Sequence, residues 1–139
     1  MTAKELAAML SGREVGNEIT DAETQQAADA GLVVVYGYSD DCVEMRGAID
    51  VGAGAFDGTT VYLTADGFLD EPSCSRAEDC TCPYFAKVRQ TAKTIEAVWH
   101  NFGSPCWTFK TDIPHETFDI YEDGEVWCVG IVFSMEDLV

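Results

Sequence analysis

Three cysteines fall within nine residues of the stretch CSRAEDCTCPYF: Cys74, Cys80 and Cys82. Thiolates are good zinc ligands, and a structural zinc site takes four donors drawn from thiolate and imidazole. The C-x5-C-x-C spacing supplies three, and it differs from the C-x2-C knuckle of common zinc modules. His100 is the expected fourth. If the hairpin over 94–113 turns about Gly103, residue 100 pairs with residue 106. Directly opposed residues have Cβ atoms about 4.5–5.5 Å apart. His100 and Cys106 then share one face and Trp99 and Trp107 the other, with Cys106 as the reserve ligand. The expected metal set is Cys74, Cys80, Cys82 and His100 around a structural zinc, with no position open for water. Free thiols or a disulfide remain alternatives. Cys82, just before Pro83, sits at a helix N-cap where orphan N–H groups stabilise a thiolate, which suits a ligand and a reactive thiol equally.

The other chemistry-bearing residues lead nowhere catalytic. His115-Glu116 opens an H-E-x-x-H pattern, but Asp119 occupies the second histidine position and the segment reads as a strand entrance. Cys42 follows two aspartates, whose negative charge dulls a thiol. Cys128 reads as strand packing. No nucleophile elbow, P-loop or dinucleotide glycine pattern is present. The expectation is a protein without catalytic residues and not an enzyme.

Charge narrows the partners. The 139 residues carry 25 acidic and eight basic side chains, a net charge of −17. Binding of a nucleic-acid backbone needs a positive surface, so direct contact with nucleic acid is excluded, as is an electrostatic grip on anionic lipid. The carboxylates come in small groups at turns: Asp40-Asp41, Asp70-Glu71, Glu78-Asp79, Glu122-Asp123 with Glu125, and Glu136-Asp137. Held on a rigid scaffold, such groups could imitate a phosphate array and steer the chain to a basic surface. No apolar run nears the ~20 residues of a membrane span. The N-terminal segment has charges where a signal peptide needs an apolar core. A cytoplasmic location is expected, and thiols there stay reduced.

The elements that must position these groups read as follows. T-x-x-E capping boxes at Thr2/Glu5 and Thr20/Glu23 start two helices, stopped by Gly12 and Gly31. The second has only alanine as apolar residue and should lie on the surface. Strands are expected over 32–39, 43–50 and 59–66, with VGAGAFDG between the last two as a bend or loop. A short helix follows over about 83–92, then strands over 94–100 and 106–113. ETFDIYEDGEVWCVGIVF reads as a hairpin turning at Asp123-Gly124. Counted straight from that turn, Phe118 faces Val129, Ile120 faces Trp127 and Asp119 faces Cys128. The fold expected is a single α+β domain spanning 1–139, with one curved, mostly antiparallel sheet of six or seven strands. Two N-terminal helices and one central short helix cover one face.

The phrases LSGREVGNEIT, GLVVVYGYSDD, RGAID and KTDIPHETFDIYEDGEVWCVGIVF resemble small acidic proteins encoded by phages and prophages. The resemblance covers most of the chain and transfers no active site. It implies an inhibitor of host defence, such as an anti-CRISPR or anti-restriction protein. The expected partner is a host CRISPR effector or restriction complex, met on its basic nucleic-acid-binding surface by acidic mimicry, with Tyr38, Phe68 or Phe102 as anchoring aromatics. The alternative is a zinc-stabilised phage accessory or structural protein without inhibitory role.

Overall fold

The computed structural model describes residues 1–40, 42–56, 60–64, 67–69, 92–100 and 105–138, with the backbone path alone for 51–56 and 67–69. Both capping boxes form. The Thr2 hydroxyl accepts from the Glu5 N–H at 3.1 Å, and the Glu5 carboxylate accepts from the Thr2 N–H at 3.2 Å, starting α1 (Ala3–Leu10). Thr20 and Glu23 make the same exchange and start α2 (Asp21–Asp29). Leu6, Ala7 and Leu10 bury the inner face of α1, whereas α2 buries only Ala27, as its polar sequence requires. No helix among the described residues is long and apolar enough to cross a membrane.

Between the helices lies β1 (Arg13–Glu14). The remaining strands are β2 (Leu32–Ser39), β3 (Cys42–Gly47), β4 (Val51–Phe56), β5 (Thr60–Thr64), β6 (Gly67–Leu69), β7 (Lys93–Trp99), β8 (Trp107–Lys110), β9 (Glu116–Glu122) and β10 (Glu125–Ser134), with a closing 3-10 turn over Met135–Leu138. They form one mixed sheet in the order β4-β3-β2-β10-β8-β7-β5-β6, with β9 also on β10 and β1 on β9. The α+β class is as expected, but the strands number ten among the described residues, not six or seven. VGAGAF, expected as a bend, is β4 and pairs with β3. Glycine weakens a strand, yet backbone pairing alone can hold one at a sheet edge. Gly67 opens β6 instead of ending a strand, and Arg13-Glu14 adds in parallel to β9. The expected short helix over about 83–92 lies, apart from Ala92, outside the described residues.

The last strand is the axis of the sheet. One edge of β10 carries β9. Its other edge is shared: Ile131–Ser134 pair antiparallel with β2, and Cys128 pairs parallel with Trp107 of β8. Where β2 leaves β10, β8 enters. The Trp107 indole lies against Gly37, where an added Cβ would come within 2.3 Å of the ring, and its N–H donates to the Ser39 carbonyl at 2.7 Å. Every residue of β2 from Leu32 to Gly37 is buried, so both faces of this strand are covered. α1 packs on β9 and β10, α2 on β2 and β3.

The terminal hairpin turns as expected, with Asp123 at φ 51° and Gly124 at φ 83°. Its register corrects the straight count. Tyr121 faces Val126, but the pairing shifts between Val126 and Cys128, so Cys128 faces Ile120, Val129 faces Asp119 and Gly130 faces Phe118. Trp127 is the extra residue of this bulge. Its carbonyl accepts the Cys106 N–H at 2.9 Å, and its ring meets Trp99 edge-on at 5.5 Å. The shift also seats Gly130 against Phe118, where a Cβ would lie 2.3 Å from the ring.

Candidate functional site

The hairpin of β7 and β8 holds the expected metal-side residue. Trp99 pairs with Trp107, their rings 5.1 Å apart and edge-to-face, and the His100 N–H donates to the Cys106 carbonyl at 2.8 Å. His100 Nε2 lies 2.8 Å from Thr108 Oγ1. If Nε2 carries the proton toward that hydroxyl, Nδ1 is the nitrogen left for a metal, the arrangement usual for ligating histidines. Cys74, Cys80 and Cys82 lie outside the described residues. Among the described residues no group of three His, Cys, Asp or Glu side chains is close enough to hold a metal. Cys42 and Cys106 are half-buried free thiols. Cys128 is fully enclosed: burial pushes its thiol up to about 12, against the donation of the Gly37 N–H to its sulfur at 3.2 Å. A thiol so held is inert, in keeping with the packing role expected for it. His115 Nδ1 contacts the Ile113 carbonyl at 2.7 Å and serves the local turn.

Two groups of described carboxylates matter for binding. One lies at the free end of the β9–β10 hairpin with β1 beside it. Glu14 pairs with Tyr121, and Glu122 stands directly opposite Glu125 across the turn at Asp123. All four carboxylates are exposed. The described salt bridges engage only Glu23, Glu44 and Asp50, through Arg13 and Arg46. The hairpin end is therefore a fixed anionic edge without cationic partners among the described residues.

The other group is internal. Tyr36 and Tyr38 lie two residues apart on β2 and so share a face. Glu44 of β3 stands opposite Tyr36, whose hydroxyl donates to its carboxylate at 2.6 Å, and Arg46 binds the same carboxylate at 3.2 Å. Burial, then the Glu44 contact, raise the Tyr36 phenol above its ordinary value, so it stays a neutral donor. A turn closes over this face: the Asn17 N–H donates to the Glu14 carbonyl at 3.0 Å, and Gly16 takes φ +96° in it. Only glycine takes the third position of such a turn without strain. The next residue, Glu18, is thereby pointed inward and is 7% exposed, and its Oε2 is enclosed without a hydrogen-bond partner. Val15, Gly16, Glu18, Tyr36, Tyr38 and Glu44 line a cavity of 270 Å³.

Comparison with known protein families, curated proteins and solved structures gives no match.

Of the aromatics expected as anchors, Tyr38 is half-buried on the core and in the cavity wall. The side chain of Phe68 and all of Phe102 lie outside what the structure describes. Sequence reasoning missed the Glu18 cavity. Its signals were the E-V-G-N turn and two tyrosines at strand spacing, but Glu18 itself looked like one acidic residue among many.

Proposed function

We propose that the protein is a non-enzymatic binder whose anionic edge docks on the basic nucleic-acid-binding surface of a host defence complex, in the manner of an anti-CRISPR or anti-restriction inhibitor. The observation that carries this reading is the like-charge arrangement at the β9–β10 hairpin. Glu122 and Glu125 are directly opposed, with Asp123 between them and Glu14 one strand away. Opposed like charges cost stability, and a surface selected for folding alone gains nothing from them. A partner with clustered Lys and Arg removes that repulsion on binding, and the same charges steer the encounter. The hairpin fixes the spacing, which an unstructured acidic tail could not do.

The test is titration against purified CRISPR effector and restriction complexes at low and high ionic strength, with duplex DNA as competitor. Binding that weakens steeply with salt and is mutually exclusive with DNA is the expected result. Affinity indifferent to salt, or co-occupancy with DNA, removes mimicry. A zinc site built from Cys74, Cys80, Cys82 and His100 belongs to the same proposal as a structural element. If zinc binds but no defence complex does, the chain is a zinc-stabilised accessory protein.

A further inference from the structure

We propose that the cavity between β2, β3 and the 14–17 turn is a binding site for a primary ammonium group on a short alkyl chain. The inference stands on Glu18 and the two tyrosines, independently of the acidic hairpin. Glu18 is 7% exposed and has an enclosed oxygen with no partner. A buried carboxylate left without a counter-charge is costly. Neither described arginine pairs with Glu18: Arg13 binds Glu23, and Arg46 binds Asp50 and Glu44, the other carboxylate of the cavity lining. A cation entering the cavity supplies the missing charge.

The lining selects the kind of cation. Tyr36 and Tyr38 both line the cavity, and a cation that meets an aromatic face is attracted by the ring quadrupole. A guanidinium binds a carboxylate best through two parallel hydrogen bonds. Here Oε2 of Glu18 is enclosed, so a ligand meets that carboxylate at one oxygen only. An ammonium is a compact charge with three donors, which suits one oxygen of Glu18 together with the lone pairs that Glu44 and Tyr36 keep after bonding each other and Arg46. The volume of 270 Å³ is below that of ordinary small-molecule pockets, so the alkyl chain must be short. A free alkylamine and a lysine side chain of another protein offer the same chemistry.

The experiment is an NMR titration of the full chain with n-butylammonium and, separately, with Nα-acetyl-lysine-N-methylamide, following the amides of Gly16, Glu18 and Tyr38. Saturable shifts confined to these residues are expected. Glu18→Gln should weaken binding by about tenfold or more, the worth of a charge-assisted hydrogen bond. Val15→Phe, which fills the cavity but leaves the carboxylate, should abolish it and carries the comparison if Glu18→Gln does not fold. Binding of both probes assigns the site to a lysine side chain, and binding of butylammonium alone assigns it to a free amine. Absence of saturable shifts with either probe, unchanged affinity in the variants, or methylguanidinium binding as tightly as butylammonium would overturn the assignment. Salt-insensitive affinity for a defence complex would leave this result untouched, since the probes bind the isolated chain.

Discussion

Glu23 accepts from the Arg13 guanidinium at 2.6 Å while also capping α2, and the guanidinium contact holds its carboxyl down at about 2. An unfolded glutamate titrates near ~4.3. The folded value is the lower one, so the stabilisation is complete above the unfolded value and is lost as pH falls toward the folded one. Glu23→Gln keeps a side chain able to close the capping box and loses the ion pair. Urea melts should show the variant less stable by about 1–2 kcal/mol at neutral pH, with the gap closing between about pH 4 and pH 2. A gap that persists unchanged to pH 2 would place the loss in capping instead of charge. His100 supports a second prediction at this scale. Its Nε2 contact with Thr108 at 2.8 Å holds the ring orientation. Purified protein should contain about one zinc per chain, with Cys82→Ser lowering occupancy and melting temperature together. Thr108→Val, which removes only the partner of the ring, should weaken zinc by about tenfold or more. Metal-free protein that melts at the same temperature as the purified sample would rule the centre out.

The wedge of β8 between β2 and β10 depends on one missing side chain. Gly37→Ala puts a methyl 2.3 Å from the Trp107 ring, and overpacking of this kind costs about 1–3 kcal/mol. The variant should melt earlier with altered tryptophan near-UV dichroism. An unchanged spectrum would mean that Trp107 is not clamped there. The β9–β10 hairpin makes the opposite prediction. Glu125→Lys turns a like-charge pair with Glu122 into an opposite-charge one, worth about 0.2–1 kcal/mol. It should raise stability and lower affinity for the defence complex; if affinity is kept, the hairpin is not the docking edge. The same two regions show what the sequence could reveal. Caps and strands were readable because Thr2, Thr20 and the β-branched run over 32–39 act locally. Register was not, because bulges are set by distant neighbours. A straight count from the turn at 40–41 would pair Tyr36 with Met45, but the shift between Gly37 and Ser39 pairs it with Glu44. That one residue builds the cavity wall. Trp127 shifts the second hairpin through its contacts with Trp99 and Cys106, which lie far off in the chain.

At the scale of the whole molecule, a net charge of −17 acts on folding and on association with opposite sign. Within the chain it is self-repulsion, which opposes the compact state. Among the described residues the ion pairs neutralise only Glu23, Glu44 and Asp50, so the other described carboxylates keep their charge unpaired there. Added salt shortens the screening length from about 30 Å at 0.01 M to about 3 Å at 1 M. The repulsion then fades faster than the half-buried Arg13–Glu23 pair, which is less open to ions. Melting temperature should therefore rise between about 0.01 M and 0.5 M NaCl, by a few degrees if the relief is about 1 kcal/mol. Over the same range, affinity for a basic partner should fall, because the same carboxylates now attract less. Calorimetry and binding measured in one salt series test both together. A melting temperature that drops with salt would mean that the carboxylates are largely paired within the fold, including with the basic residues of the segments not described, leaving too little free charge on the surface to imitate a phosphate backbone.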